Sequence, residues 1–198
     1  GIFQKCNSLK ELDLKSFNTE NCTDMSYMFN KCTKLAKIII DPNSFVTGKV
    51  TNMKCMFQLC NSLEAFDVSS FNTENVTDFS YMFNECYKIP TLNLTKFCTK
   101  NCTSMKGMFQ ECHSLADPDL SSFITENVTD MSFMFNSCHQ ISTLNLFNFK
   151  TDNVTNMERM FQACYSLVNL ELKSFVTTKV TNMSGMFHGC RSMKEFNL

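Results

Sequence analysis

The chain has 198 residues, 18 of them basic and 19 acidic, for a net charge of −1. That balance gives no pull toward nucleic acid or an anionic lipid surface, and no apolar run approaches the roughly 20 residues of a helical membrane span. The length suits one domain, while twelve cysteines, twenty phenylalanines and no tryptophan demand a structural reason.

The reason is a period. Met-Phe recurs at 28–29, 56–57, 82–83, 108–109, 134–135, 160–161 and 186–187, with Ile2-Phe3 in the same phase. The step is 26 residues, except for one of 28 whose extra pair falls near the turn at Asp41-Pro42. A cysteine stands three residues after each phenylalanine, from Cys6 to Cys190. Self-similarity at such a period reads as a solenoid built of stacked rungs.

In chain order, each rung divides into two predicted elements. Leu9, Leu12, Leu14 and Phe17 come first, and Leu12-Asp13-Leu14 has the alternation of a half-buried strand. "NTEN" then turns the chain. In "TDMSYMFNKC", Met25, Met28, Phe29 and Cys32 fall at i, i+3, i+4 and i+7, which predicts a short helix with Thr23 as its N-cap. Thr155 with Glu158 fits a capping box in a later rung. Pro118 stands where the fifth rung needs a strand leucine, so ladder pairing is expected to fail there. Helices are wider than strand spacing, so the stack is expected to bend with its strands inside. The expected fold is thus an α/β leucine-rich-repeat-like solenoid: one strand and one helix per 26-residue rung, with a parallel sheet on the inner face. Residues 1–198 make one domain of about seven and a half repeats. Both ends fall in mid-repeat, so the chain is read as a piece of a longer array.

These residues carry a resemblance. The pattern C-x-x-L-x-x-L-x-L-x-x-F, preceded by M-F-x-x, resembles the leucine-rich repeat of BspA-like surface proteins. "FNTENVTDMSxMF" is similar to the 26-residue variant in mycoplasma surface lipoproteins and in protist surface proteins. The resemblance implies a secreted or cell-surface protein without enzymatic activity, used for adhesion or for binding a protein or glycan. An alternative it leaves open is a structural subunit of an extracellular filament or coat, in which solenoids stack end to end on copies of themselves. It transfers no catalytic residue and no cofactor.

Candidate sites come from the columns. The position after each ladder cysteine changes from Asn7, Thr33 and Asn61 to Tyr87, His113, His139, Tyr165 and Arg191. These last five form the candidate binding row, since rings offer contact area at low entropic cost. Asn21, Asn75, Asn93, Asn101, Asn127, Asn153 and Asn182 begin N-x-S/T sequons and are candidate glycosylation sites of a secreted glycoprotein. A repeat needing a turn asparagine, a core valine and a threonine also writes N-V-T without any glycan. Asp13, Asp67, Asn93, Asp119, Asn145 and Glu171 make a polar stripe on the expected strand, read as a solvated face. The cysteines lack zinc-ligand spacing and read as a ladder of small buried thiols, with no metal site.

Overall fold

The outer half of each rung is not helical. In the computed structural model, which describes residues 1–64 and 66–197, there is no helix among the described residues, and the regular elements are five short strands. The expectation of one helix per rung is therefore overturned, and the hydrogen bonds show why. Met28, Asn30 and Cys32 donate backward within the rung, to the carbonyls of Met25, Tyr27 and Phe29. Met25, Tyr27, Phe29 and Lys31 donate instead to Asn52, Lys54, Met56 and Gln58 of the next rung, at 2.8–3.0 Å. An α-helix would keep all these donors inside one segment.

Alternation of this kind requires corners, and Tyr27 and Lys31 supply them with φ of 57° and 62°. The same two columns turn left-handed in the later rungs, and they hold Gly107, Gly185 and Gly189. The i, i+3, i+4, i+7 spacing thus marks the inward residues of two successive turns. Met25, Met28, Phe29 and Cys32 are all buried.

The threonines do not cap helices either. Thr155 donates both its N–H and its hydroxyl to the Thr129 carbonyl, at 2.9 and 3.1 Å. The next column does the local capping: Asp24 accepts from Ser26 N–H at 2.7 Å, and Asn156 accepts from Glu158 N–H at 3.0 Å. The capping box of Thr155 and Glu158 is not formed. One residue of this column pairs in parallel from rung to rung, from Asp24 and Asn52 to Asn156 and Asn182.

The inner sheet is also less continuous than expected. Strands β1 (Glu11–Asp13) and β2 (Lys37–Ile39) pair in parallel, with Leu12 opposite Ile38. Strands β3 (Thr143–Leu144), β4 (Asn169–Glu171) and β5 (Glu195–Asn197) form a second parallel sheet. The three rungs between them hold no strand among the described residues. Pro90 and Pro118 lie in that gap and lack the N–H a ladder needs. Asp117, with φ of 30°, compensates at the second proline: its carboxylate accepts from the N–H groups of Ser142 and Thr143, both at 2.9 Å. Since the outer segments are themselves bonded rung to rung, near the ~4.8 Å spacing of strands, the expected cause of bending, a wide helical layer, is gone.

Between the two walls runs a phenylalanine file. Phe3, Phe29, Phe57, Phe83, Phe109, Phe135, Phe161 and Phe187 stack at 5.3–5.9 Å with interplanar angles of 2–14°. Three polar ladders flank it. Buried Thr73, Thr99, Thr125 and Thr151 each bind one residue of the next rung twice: Thr99 donates to the Ile124 carbonyl and accepts from the Ile124 N–H, both at 2.8 Å. Asn and Gln alternate in the column after the ladder phenylalanine, and Asn30, Gln58 and Asn84 are joined amide to amide at 2.9 and 2.8 Å. Each ladder thiol from Cys32 to Cys190 donates to a phenylalanine carbonyl in the preceding rung, as Cys138 does to Phe109 at 3.0 Å. Cysteine is therefore a donor here as well as a small apolar filler.

Candidate functional site

The five residues of the candidate row come together. Adjacent rungs hold them one after another, so Tyr87, His113, His139 and Tyr165 stack at 4.7, 4.4 and 4.6 Å with angles of 8°, 7° and 14°. The Arg191 guanidinium lies 4.8 Å from the Tyr165 ring centre and ends the stack. Each interior ring has both faces covered by its neighbours. What the row offers to a partner is a comb of edges, carrying imidazole nitrogens and phenol oxygens at one ladder spacing.

Acids line one side of the row. The Tyr87 hydroxyl donates to Glu85 Oε2 at 2.6 Å, and burial together with this bond pushes the phenol well above its ordinary value. Burial also raises the Glu111 carboxyl, with the charge of Glu85 adding to it. Both imidazoles are pushed down, first by burial; Glu85 opposes this at His113, while His113 reinforces it and Glu111 opposes it at His139. Burial thus favours the neutral form of the two imidazoles at the centre of the row, with Glu85 and Glu111 on one side and the Arg191 guanidinium at its end.

The sequon asparagines have structural employment. The Nδ2 atoms of Asn75, Asn101, Asn127 and Asn153 donate to backbone carbonyls of the preceding rung, at 2.8–2.9 Å. Asn21 and Asn153 accept from Lys49 and Lys179, and Asn182 donates to Glu158. Asn93 accepts from the Thr95 hydroxyl at 2.8 Å. Along the inner stripe, Asp13, Asp67 and Asp119 accept from backbone N–H groups two residues on, which closes local turns. Among the described residues no three His, Cys, Asp or Glu side chains converge as metal ligands. All twelve cysteines are free, and burial raises the Cys112 and Cys164 thiols to about 12. Such thiols are poor nucleophiles at neutral pH.

A second row escaped the sequence reading. Tyr27, Cys55, Tyr81, Gly107, Phe133 and Arg159 share the first left-handed column, and large residues alternate with small or flexible ones. The Tyr81 ring lies directly over Gly107, where a Cβ would meet it at 2.4 Å. Phe133 has the Lys106 ammonium and the Arg159 guanidinium 6.0 and 5.7 Å from its ring centre. The signal was in the sequence: "SYMFN", "KCMFQ", "SYMFN", "KGMFQ", "SFMFN", "ERMFQ" alternate over a two-rung unit of about 52 residues.

A family model described as "Mycoplasma protein of unknown function, DUF285" matches residues 1–116 and again 88–197. No curated protein matches the chain. Among solved structures, a leucine-rich repeat protein from Eubacterium ventriosum superposes with a TM-score of 0.54 at 18% identity, over 94% of this chain and 44% of its own. A leucine-rich repeat protein from Bacteroides ovatus gives 0.50 at 18% identity, over 97% of this chain and 56% of its own. The likeness shows a leucine-rich-repeat fold, and the chain spans about half the length of these structures.

Proposed function

Given that the chain belongs to the DUF285 family of mycoplasma proteins, we propose that it is a non-enzymatic, surface-displayed repeat module that attaches to a protein partner through its ring row. The observation that carries this reading is the stack from Tyr87 to Arg191. Because the ring faces are spent on each other, the row suits a partner that presents hydrogen-bonding groups to ring edges, as a polypeptide backbone does. It suits less well a sugar, which would need a free face. Regularity supports a passive role: most polar groups repeat by column, and the buried threonine, amide and thiol columns bond from rung to rung. Among the described residues, no helix is long and apolar enough to cross a membrane.

The test replaces Tyr87, His113, His139 and Tyr165 together by Asn, the residue that this column already tolerates at Asn7 and Asn61. Beads coated with the wild-type chain should adhere to cultured cells and to immobilised surface-protein extracts. The fourfold variant, if it melts cooperatively near wild type, should lose at least tenfold in adhesion. Undiminished adhesion by the folded variant removes the row from the binding surface.

A further inference from the structure

We infer that the corner column of Lys5, Lys31, Leu59, Glu85 and Glu111 is a self-complementary face, on which a second copy of this chain docks antiparallel about a two-fold axis at Leu59. The inference is separate from the ring-row reading, so the two fail independently. It begins with where the charges of the chain find partners. On other faces opposite charges stand in successive rungs and pair within the chain: Lys37 with Glu11 at 2.9 Å, Lys88 with Glu64 at 3.0 Å and Lys150 with Glu126 at 2.6 Å. This column does the reverse. Lys5 precedes Lys31 and Glu85 precedes Glu111, so like charges stack one rung apart. Among the described residues, none of the four is in an ion pair. The repulsion is felt at Glu111, whose carboxyl is raised first by burial and then by the Glu85 charge.

The backbone fixes the spacing and makes such long side chains unexpected. All five residues turn left-handed, with φ of 58–65°, where glycine has no steric penalty; the last rung has Gly189 in this place. Their N–H groups donate to Asn30, Gln58, Asn84, Gln110 and Asn136 of the following rungs at 2.7–2.8 Å. That holds the column to one rung per step, ~4.8 Å. Two bases, one apolar residue and two acids at equal steps are complementary to their own reversal. A second chain reversed about Leu59 sets Lys31 against Glu85 and Lys5 against Glu111, each pair occurring twice, with the half-buried Leu59 against its own copy. The column two residues on is complementary in size: small Asn7 and Thr33 come opposite the rings of His113 and Tyr87. Lys34 and Lys88 lie across the next turn, and Lys88 is already held by Glu64. A partner of one charge sign would be repelled by half of the column, whereas a reversed copy relieves both halves. The face spans four rung steps, about 19 Å. It is a narrow strip beside the area that a permanent dimer buries, so the pairing belongs to the weak, salt-sensitive class.

The test is sedimentation of the intact chain across a range of concentration. The wild type should pass from monomer to dimer at about 0.01 M salt and lose the dimer at about 1 M, as the screening length falls from ~30 Å to ~3 Å. Lys31→Glu and Glu85→Lys, each alone, set like charges opposite one another twice, and each should raise the dimer dissociation constant at least tenfold. Mixed in equal amounts, each variant carries the charge that the other lacks, so a heterodimer should form within about threefold of wild-type affinity. Both variants keep every residue of the ring row. The outer pair, Lys5→Glu and Glu111→Lys, gives the same test should an inner variant fail to fold. A wild type that stays monomeric at low salt, a dimer indifferent to salt, folded single variants that pair as the wild type does, or a mixture that stays monomeric would each overturn the inference.

Discussion

Ala163 sits at φ 56°, where an L-residue crowds its own carbonyl and glycine does not. In a helix, Ala→Gly costs about 1 kcal/mol; here the sign should reverse. Ala163→Gly is expected to be neutral or to stabilise by up to about 1 kcal/mol, measured by urea unfolding. A clear loss would restore the helical reading of this segment. Gly107→Ala is the opposite case. Its φ of 56° and a ring 2.4 Å from the new methyl should destabilise by about 1–3 kcal/mol.

The imidazoles of the ring row give a second expectation at this scale. Their folded values are depressed by burial, so the folded chain resists protons that the unfolded chain takes up near 6.5. Their contribution is complete above that pH and is lost as pH falls through the lower, folded values. Glu111, whose folded value is raised, works the other way: its contribution is complete below about 4.5, its ordinary value, and is lost as pH climbs through the folded one. Replacing His113 and His139 by Gln should therefore flatten the fall in urea midpoint between about pH 7 and pH 5. An unchanged slope would mean that the histidines titrate freely.

Among elements, the ladders differ in what they hold up. Thr99→Val removes a hydroxyl that serves both the N–H and the carbonyl of Ile124 in a dry site, so a loss of about 2–4 kcal/mol is expected. Thr103→Val, on the exposed threonine column, should cost about 1 kcal/mol or less, since water replaces its 3.2 Å bond to Thr77. Equal losses in the two columns would contradict the assigned burial. This contrast also shows what the sequence made legible. The period, the inward columns and the ring row follow from spacing alone, because burial and spacing share one cause. The helix was misread because a pair of turns and a helix place Met25, Met28, Phe29 and Cys32 on the same side. Hydrophobic spacing reports which residues face inward, and it is silent on where their backbone donors go. The available clue was that four of the five glycines, all but Gly48, fall in the columns of Gly107 and Gly189. The break between β2 and β3 was only half visible, in Pro118; the Asp117 carboxylate standing in for backbone needed coordinates.

For the molecule as a whole, the central file sets the stability. Phe109 lies between Phe83 and Phe135 at 5.9 and 5.6 Å and is wholly buried. Phe109→Ala should cost about 3–5 kcal/mol. Phe3, only partly buried against the core, should lose clearly less when cut to alanine. Equal losses by denaturant unfolding would mean that the rungs do not share one core.

The direction of the bonds in the outer wall has a consequence in electrical terms. In an ordinary parallel sheet, N–H groups point alternately to either neighbour, and the peptide dipoles largely cancel. Here Met25, Tyr27, Phe29 and Lys31 all donate toward the following rung, and Met157, Arg159, Phe161 and Ala163 do the same far along the chain. The other N–H groups of the segment lie within their own rung. Four files of peptide dipoles therefore run head to tail along the stacking axis, with their positive poles toward the later rungs. A helix has its positive pole at its N-terminal end; this wall carries the reverse polarity, along an axis perpendicular to its own chain.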